Sequence, residues 1–328
     1  MPDNVLVVGG AGYIGSVMVF MLLEEGYRVT VFDSLERGHR QAVDPRAAFR
    51  HGDLKDRARV REVCRETEPW VAMHFSAYAL VGESMEHPSR YFRNNFSAGL
   101  NLLDALVEVK TQRIVFSSTC ATFGEPESLP ITEGNRQAPT NPYGESKLMF
   151  EKALRWYDEL HGLRYTALRY FNAAGATAHL GEDHDPETHL IPNVLKVALG
   201  QREAVSVFGT DYPTPDGTCI RDYIHIEDLC RAHLLAMRQE GSSTYNLGNG
   251  AGYSVMQVIE TAREITGHPV PVRAEARRPG DPPCLVGSAE KIRRELGWQP
   301  GLPDIRDIVR SAWDWHRQHP RGYGDGLS

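Results

Sequence analysis

The chain has 328 residues, 41% of them apolar and 24% charged, with a formal net charge of -7, the balance of an ordinary globular protein with one or two domains. The acid excess argues against a nucleic-acid binder, which carries a basic face, and no apolar run reaches the ~20 residues of a membrane span. The five cysteines, Cys64, Cys120, Cys219, Cys230 and Cys284, are odd in number and never spaced C-x-x-C, which argues against a disulfide framework or a cysteine zinc site.

The first strand-like run, "NVLVVGG", begins at Asn4. That leaves no room for a basic segment followed by a cleavable apolar one, so a cytoplasmic protein is expected. Strands are predicted over 4–8, 27–33, 47–51, 70–75, 112–118 and 164–170, and helices over 13–25, 55–67, 89–109 and 142–161. Apolar strands joined by helical crossovers make a parallel sheet covered on both faces, the doubly wound α/β arrangement of a Rossmann fold. Beyond residue 172 Pro and Gly rise and the strands shorten, with "IHIEDLCRAHLLAM" as one helix start. The expectation is a cofactor domain over 1–172, with a return at about 222–248, and a second, smaller mixed α/β substrate domain over 173–328. The segment "HLGEDHDPETHL" (179–190) holds three histidines and several acids. Without a recognised ligand spacing it reads as a polar loop, and no metal is expected.

The first strand runs into "GGAGYIG". Gly9 suits a tight turn, Gly12 lets the backbone approach a pyrophosphate, and Gly15 permits close helix–strand packing. The following helix points its N-terminus at the phosphates. Asp33 closes the second strand, where a carboxylate accepts from a ribose diol and repels a 2′-phosphate, so NAD is favoured over NADP. Arg37 and Arg40 nearby soften that preference. Asp53, in "GDL", is placed to hold the adenine amino group.

In "NPYGESKLMFEKAL" (141–154), Asn141 is a good N-cap and Pro142 suits the first helical position. Met149, Ala153, Trp156 or Tyr157, and Leu160 recur at helical spacing, and Gly162 is a stop. Tyr143 and Lys147, four apart, share one face. Alone, the pair also fits an exposed aromatic ring lying on a lysine stem. The fifth strand, however, ends in "FSSTCATFG" (116–124), at the carboxyl edge where ligands bind in such sheets. There Thr119 or Ser118 can meet Tyr143 over a nicotinamide.

Glycine loop, strand-five hydroxyls and Y-x-x-x-K together resemble the short-chain dehydrogenase/reductase superfamily, and the loop spacing and length resemble its extended branch. "HFSAYALVGES" (74–84), "NPYGESK", "LRYFNAAGA" (168–176), "DGTCIRDYIHIEDL" (216–229), "YNLGNG" (245–250), "RRPGD" (277–281) and "ELGW" (295–298) are similar, in order and spacing, to the UDP-galactose 4-epimerases. The resemblance implies interconversion of UDP-glucose and UDP-galactose on a tightly held NAD, through a transient 4-keto sugar. It implies a catalytic set of Thr119, Tyr143 and Lys147. NAD contacts are implied at Gly9, Gly12, Tyr13, Ile14, Asp33, Ser34, Asp53, Leu54, Phe75, Ser76, Ala77, Ser117, Tyr143, Lys147 and Tyr170. For the UDP-sugar it implies Ser118, Asn95, Asn172, His189, Leu190, Phe208, Arg221, Arg278, Asp281 and Leu285, with Asn172, Arg221 and Arg278 at the diphosphate, Phe208 on the uracil and Asp281 on a ribose hydroxyl. It also implies a homodimer through helices 89–109 and 142–161.

The chemistry requires Tyr143 to accept a proton as hydride leaves C4. A free phenol has a pKa of about 10 and a useful base sits near 7, a gap of ~3 units or roughly 4 kcal/mol. The Lys147 ammonium and a cationic nicotinamide are expected to close it. Two positions depart from the family pattern: Ala79 stands where some members carry a lysine near the cofactor, and Leu285 stands at the position that gates hexose size. Epimerases of UDP-N-acetylhexosamine, UDP-glucuronate or UDP-pentoses remain open, as does a non-catalytic dinucleotide sensor. A 4,6-dehydratase needs carboxylates directly after Thr119, where Cys120 and Ala121 stand.

Overall fold

The structure, a computed structural model, describes residues 3–278 and 281–326. Its order is β1 (Asn4–Val8), α1 (Tyr13–Glu24), β2 (Arg28–Asp33), β3 (Ala48–His51), α2 (Arg57–Thr67), β4 (Val71–His74), α3 (Val81–Glu86), α4 (Pro88–Tyr91), α5 (Ala98–Glu108), β5 (Arg113–Thr119), α6 (Pro142–His161), β6 (Arg164–Tyr170) and β7 (Asn172–Ala174). There follow α7 (Leu190–Ala198), β8 (Val205–Phe208), β9 (Ile220–His225), α8 (Ile226–Met237), β10 (Ser243–Leu247), β11 (Gly252–Ser254), α9 (Val255–Thr266), β12 (Val272–Glu275), β13 (Cys284–Leu285), α10 (Glu290–Leu296) and α11 (Ile305–Gln318).

The main sheet has the order β10-β6-β5-β4-β1-β2-β3. Every pairing in it is parallel. The strands are apolar on both sides because helices cover both faces. Val5, Val7, Val31, Met73 and Val115 pack with α1 and α8 on one side, and Leu6, Val8, Ala72, Ile114 and Phe116 pack with α2, α5 and α6 on the other. β10 extends this sheet beside β6, and α8 supplies part of its cover. Smaller sheets form from β11, β9, β13 and β7, and from β12 with β8. Their core is built largely by α7, α9 and α11. Among the described residues no helix is long and apolar enough to cross a membrane.

Two expected helices differ in detail. The span 89–109 is not one regular helix: a wider π-type turn over Phe92–Ser97 separates α4 from α5. Asn95 lies buried in that turn, with its amide accepting from Tyr78 N at 2.9 Å and donating to Tyr78 O at 2.9 Å and Ser146 Oγ at 3.1 Å. A side chain committed to three partners on neighbouring segments locally overrides the tighter spiral, as such turns do at functional sites. α6 has the expected ends. Asn141 Oδ1 accepts from Gly144 N at 2.8 Å, and Gly162 closes the helix with φ +72°. Its buried face, however, is Ser146, Lys147, Phe150, Glu151 and Leu154. Trp156 and Leu160 are 50% and 67% exposed. The inner face thus holds a lysine and a glutamate that an apolar count skips.

Candidate active site

The glycine turn forms where β1 ends. Gly9 has φ +82°, and a Cβ there would stand 2.6 Å from Ser76 N, so only glycine fits between β1 and the strand-four exit. A Cβ on Gly15 would collide with Gly9 O, which locks α1 against the turn. Gly12 starts α1 with no side-chain cap, leaving the first N–H groups available to an anion. Asp33 accepts from Ala11 N at 2.9 Å and Leu35 N at 2.8 Å, which fixes its carboxylate beside the turn. Burial raises its pKa. An uncapped helix end, a glycine cradle and a positioned carboxylate fit a dinucleotide's pyrophosphate and ribose.

Beyond the carboxyl edge of β5, the turn Cys120–Thr122 meets the start of α6. Gly144 abuts Ala121 O so closely that a Cβ has no room. This approach brings Tyr143 to Thr119, whose hydroxyl bonds the phenol and lowers its pKa. Burial is the larger effect and pushes that pKa up to about 12. Thr119 Oγ1 also accepts from Ala121 N at 3.1 Å, so its own hydrogen is the one directed at the phenol oxygen. Lys147 is 3% exposed and donates from Nζ to Ser117 O at 2.8 Å. Desolvation lowers its pKa to about 7, against the pull of Glu151.

Behind this set lies an ion pair that the spacing of the sequence does not signal. Glu151 on α6 accepts from Nε and Nη2 of Arg169 on β6, at 2.9 and 2.6 Å. It also accepts from Ser118 Oγ at 2.5 Å. Successive strand residues face opposite ways, so Ser118 points at Glu151 while Thr119 points at Tyr143. His74, on β4, is likewise buried near Lys147, with its pKa lowered to about 3 chiefly by desolvation.

The positions expected at the nucleotide lie on or beside the smaller sheets. Arg278 lies over the Phe208 ring at 3.9 Å, Arg221 is ion-paired with Asp281, and Asn172 Nδ2 donates to Asp222 O at 2.9 Å. Leu285 packs against Phe123, Ile131 and Phe171.

A model of the NAD dependent epimerase/dehydratase family matches residues 5–248. The chain belongs to that family. It is 50% identical over 325 residues to the UDP-glucose 4-epimerase of Halalkalibacterium halodurans, with 97% of each chain covered. The crystal structure of UDP-glucose 4-epimerase from Brucella ovis in complex with NAD aligns at TM-score 0.92 and 47% identity, over 95% of this chain and 97% of that one. The enzyme from Bifidobacterium longum in complex with NAD+ and UDP aligns at TM-score 0.93 and 38% identity, over 97% and 99%.

Within this epimerase/dehydratase chain several expected contacts take other partners. Ser118 Oγ donates to Glu151. Leu54 is a core side chain, 6% exposed, and offers only backbone, its carbonyl already accepting from Asn101 at 2.8 Å. His189 turns its ring to Glu187 at 2.9 Å and Glu182 at 2.8 Å, and Leu190 opens α7 behind it. Lys147 Nζ is drawn to Ser117 O at 2.8 Å and lies over the Phe116 ring at 4.8 Å. Arg221 and Asp281 neutralise each other, and Phe208 faces a guanidinium.

Other positions stand beside the glycine turn or the strand ends. Tyr13 is buried and donates to Gly175 O at 2.6 Å, and Ile14 packs on the core. Ser34 Oγ accepts from Glu36 N at 3.4 Å, and Asp53 is paired with Lys55 at 3.1 Å. Phe75 N donates to Val8 O at 2.8 Å, bringing Ser76 and Ala77 after it past Gly9. Ser117 and Tyr170 share a hydrogen bond between their hydroxyls. Beside Ala79, the Tyr78 ring carries the Arg90 guanidinium at 4.3 Å. Pro279 and Gly280 of the "RRPGD" motif lie outside the described residues. The 179–190 segment, expected as a plain polar loop, brings Glu182, His184, Glu187 and His189 together.

Proposed function

We infer that this chain is an NAD-dependent epimerase that inverts C4 of a UDP-hexose, interconverting UDP-glucose and UDP-galactose. The observation that carries the reading is the contact of Tyr143 with Thr119 at the carboxyl edge of the sheet, with Lys147 one helical turn away. The relatives' UDP-glucose 4-epimerase names, the NAD complex of one and the NAD+ and UDP complex of the other support the same substrate and cofactor. The parallel sheet would hold NAD, and the segments carrying Phe208, Arg221 and Arg278 would hold the nucleotide.

NAD held on the glycine turn supplies a reversible hydride acceptor at C4 and, in its oxidised form, a positive ring. The residues then divide the proton work. Thr119 orients the C4 hydroxyl, and the Tyr143 phenolate takes its proton. With the phenol at about 12, reaching 7 needs about 7 kcal/mol of preferential stabilisation. One unit charge at ~5 Å with an effective dielectric of ~20 contributes about 3 kcal/mol. A single cation is therefore too little, and two, with Lys147 as one, are close to enough. Lys147, near 7, becomes fully charged as the phenolate forms, since each favours the ionised state of the other. Inversion at C4 would require the hexose to turn over within the site so that its opposite face met the nicotinamide of a bound NAD. The anchors on the nucleotide, re-paired from their present partners to diphosphate and ribose, hold one end while the hexose stays loose. Arg–phosphate forks suit that task.

The test is to incubate the purified protein, without added NAD, with UDP-glucose, UDP-galactose, UDP-N-acetylglucosamine, UDP-glucuronate and a UDP-pentose, and to identify the products by NMR. UDP-glucose and UDP-galactose are expected to interconvert fastest. Turnover confined to another sugar, or none at all, overturns the reading.

We further propose a homodimer through α5 and α6. Support comes from the resemblance and from Trp156 and Leu160, large apolar side chains left in the open on α6. Sedimentation at micromolar concentration should give twice the mass of one chain; a monomer removes this reading.

A further inference from the structure

Glu182, His184, Glu187 and His189 follow the spacing E-x-H-x-x-E-x-H between β7 and α7. Their donor atoms all lie within 4.8 Å of one another. His184 Nδ1 is 3.2 Å from Glu182 Oε1 and 3.7 Å from Glu187 Oε2. His189 Nδ1 is 2.8 Å from the same Glu182 oxygen and 2.9 Å from Glu187 Oε1. A tetrahedral metal with bonds of about 2.0–2.1 Å separates its ligand atoms by about 3.3 Å. The observed distances bracket that value.

The hydrogen bonding within the group is incomplete. His184 Nδ1 and Glu187 Oε2 are buried and have no hydrogen-bond partner, although each lies near an atom of opposite kind. Glu187 as a residue is 7% exposed and Glu182 5%. An orphaned carboxylate oxygen this deep costs stability unless a cation answers it. His189 Nδ1 can carry one hydrogen, yet it stands between two carboxylate oxygens. Atoms that converge with the His189 Nδ1–Glu187 Oε1 hydrogen bond made, at 2.9 Å, but His184 Nδ1 and Glu187 Oε2 left over are an arrangement that a cation at their centre completes.

We propose that Glu182, His184, Glu187 and His189 bind one divalent transition-metal ion of the zinc class. Imidazole with carboxylate suits such ions better than calcium or magnesium, which take all-oxygen shells. The position indicates a structural role. Asp183 O bonds His39 Nε2 at 3.0 Å, and Asp185 O accepts from Arg37 at 3.0 Å. The His184 ring meets Tyr13, the first residue of α1, edge-on at 6.2 Å. The metal therefore clamps the 179–190 segment against the dinucleotide turn. The rival arrangement is two imidazolium–carboxylate pairs with no metal.

The test uses tag-free full-length protein, analysed for metals after purification without chelators or added metal. About one equivalent per chain is expected, and below about a tenth of that in the His184→Gln/Glu187→Gln double variant, because loss of two ligands abolishes such sites. Circular dichroism checks that the variant is folded. Independently of any variant, wild-type protein stripped by a chelator should take up about one equivalent of Co2+, with the visible absorption of a four-coordinate site that Zn2+ then displaces. The proposal is overturned if wild-type protein carries no stoichiometric metal and takes up neither Zn2+ nor Co2+. It is equally overturned if the folded double variant retains the metal.

Discussion

Tyr143→Phe should reduce kcat about 10³-fold, within the 10²–10⁴ range of positioned acid–base groups, while the protein still carries its dinucleotide. In the proposed reaction the phenol beside Thr119 receives the hydroxyl proton, and phenylalanine keeps the ring but removes the oxygen. Tyr143 packs edge-on to Tyr91 with ring centroids 6.4 Å apart, so the ring should stay in place and stability should move little. Turnover by product analysis and NAD content of denatured protein read the two effects separately. A variant within tenfold of the wild-type rate would contradict the assigned role and leave the non-catalytic dinucleotide sensor as the better account.

Arg169→Met should destabilise the fold by about 3–5 kcal/mol, the usual cost of stripping one partner from a buried ion pair. Both Glu151 and Arg169 have side chains about 5% exposed. With the guanidinium gone, the carboxylate keeps only Ser118 Oγ and Gln137 Nε2, the latter at 3.3 Å. The double variant Glu151→Leu/Arg169→Met should lose less than the single one, because no uncompensated charge remains. Urea midpoints of the three proteins decide it. A single variant within about 1 kcal/mol of wild type, or a double variant worse than the single, refutes the pairing energetics. The effect also bears on the site, since Glu151 is the charge that holds the Lys147 pKa up against burial.

The difference between these two predictions marks what sequence reading reaches. Tyr143 is found by spacing, because a four-residue interval on a capped helix fixes a shared face whatever the rest of the chain does. Glu151 and Arg169 are 18 residues apart on a helix and a strand, and neither position is unusual in its own segment. Their meeting depends on how α6 lies across β5 and β6. The choice of Thr119 over Ser118 has the same origin. Alternation along β5 says that the two hydroxyls point oppositely, but only the packing of α6 says which of them faces Tyr143.

Local chemistry also explains the limits at residues 179–190. The histidines and acids were visible, yet the loop's irregular backbone gives no period from which to infer convergence. Chain reversal between β7 and α7 brings the four side chains together. The resemblance gives the positions expected at the nucleotide in their order along the chain, but their pairing, Arg221 with Asp281 and Arg278 over Phe208, is set by opposite charges and an aromatic face meeting partners across strands distant in sequence.

By itself the sequence determined the doubly wound parallel sheet, the glycine turn with its carboxylate, and the Tyr143–Lys147 face, since each follows from short-range periodicity, steric room at a turn or helical spacing. Only the tertiary structure decided which hydroxyl meets the phenol, which ion pair lies behind it, and that an ordinary-looking loop closes into a cluster of ligands. Those depend on long-range packing, which brings together side chains whose separation along the chain carries no signal of their contact.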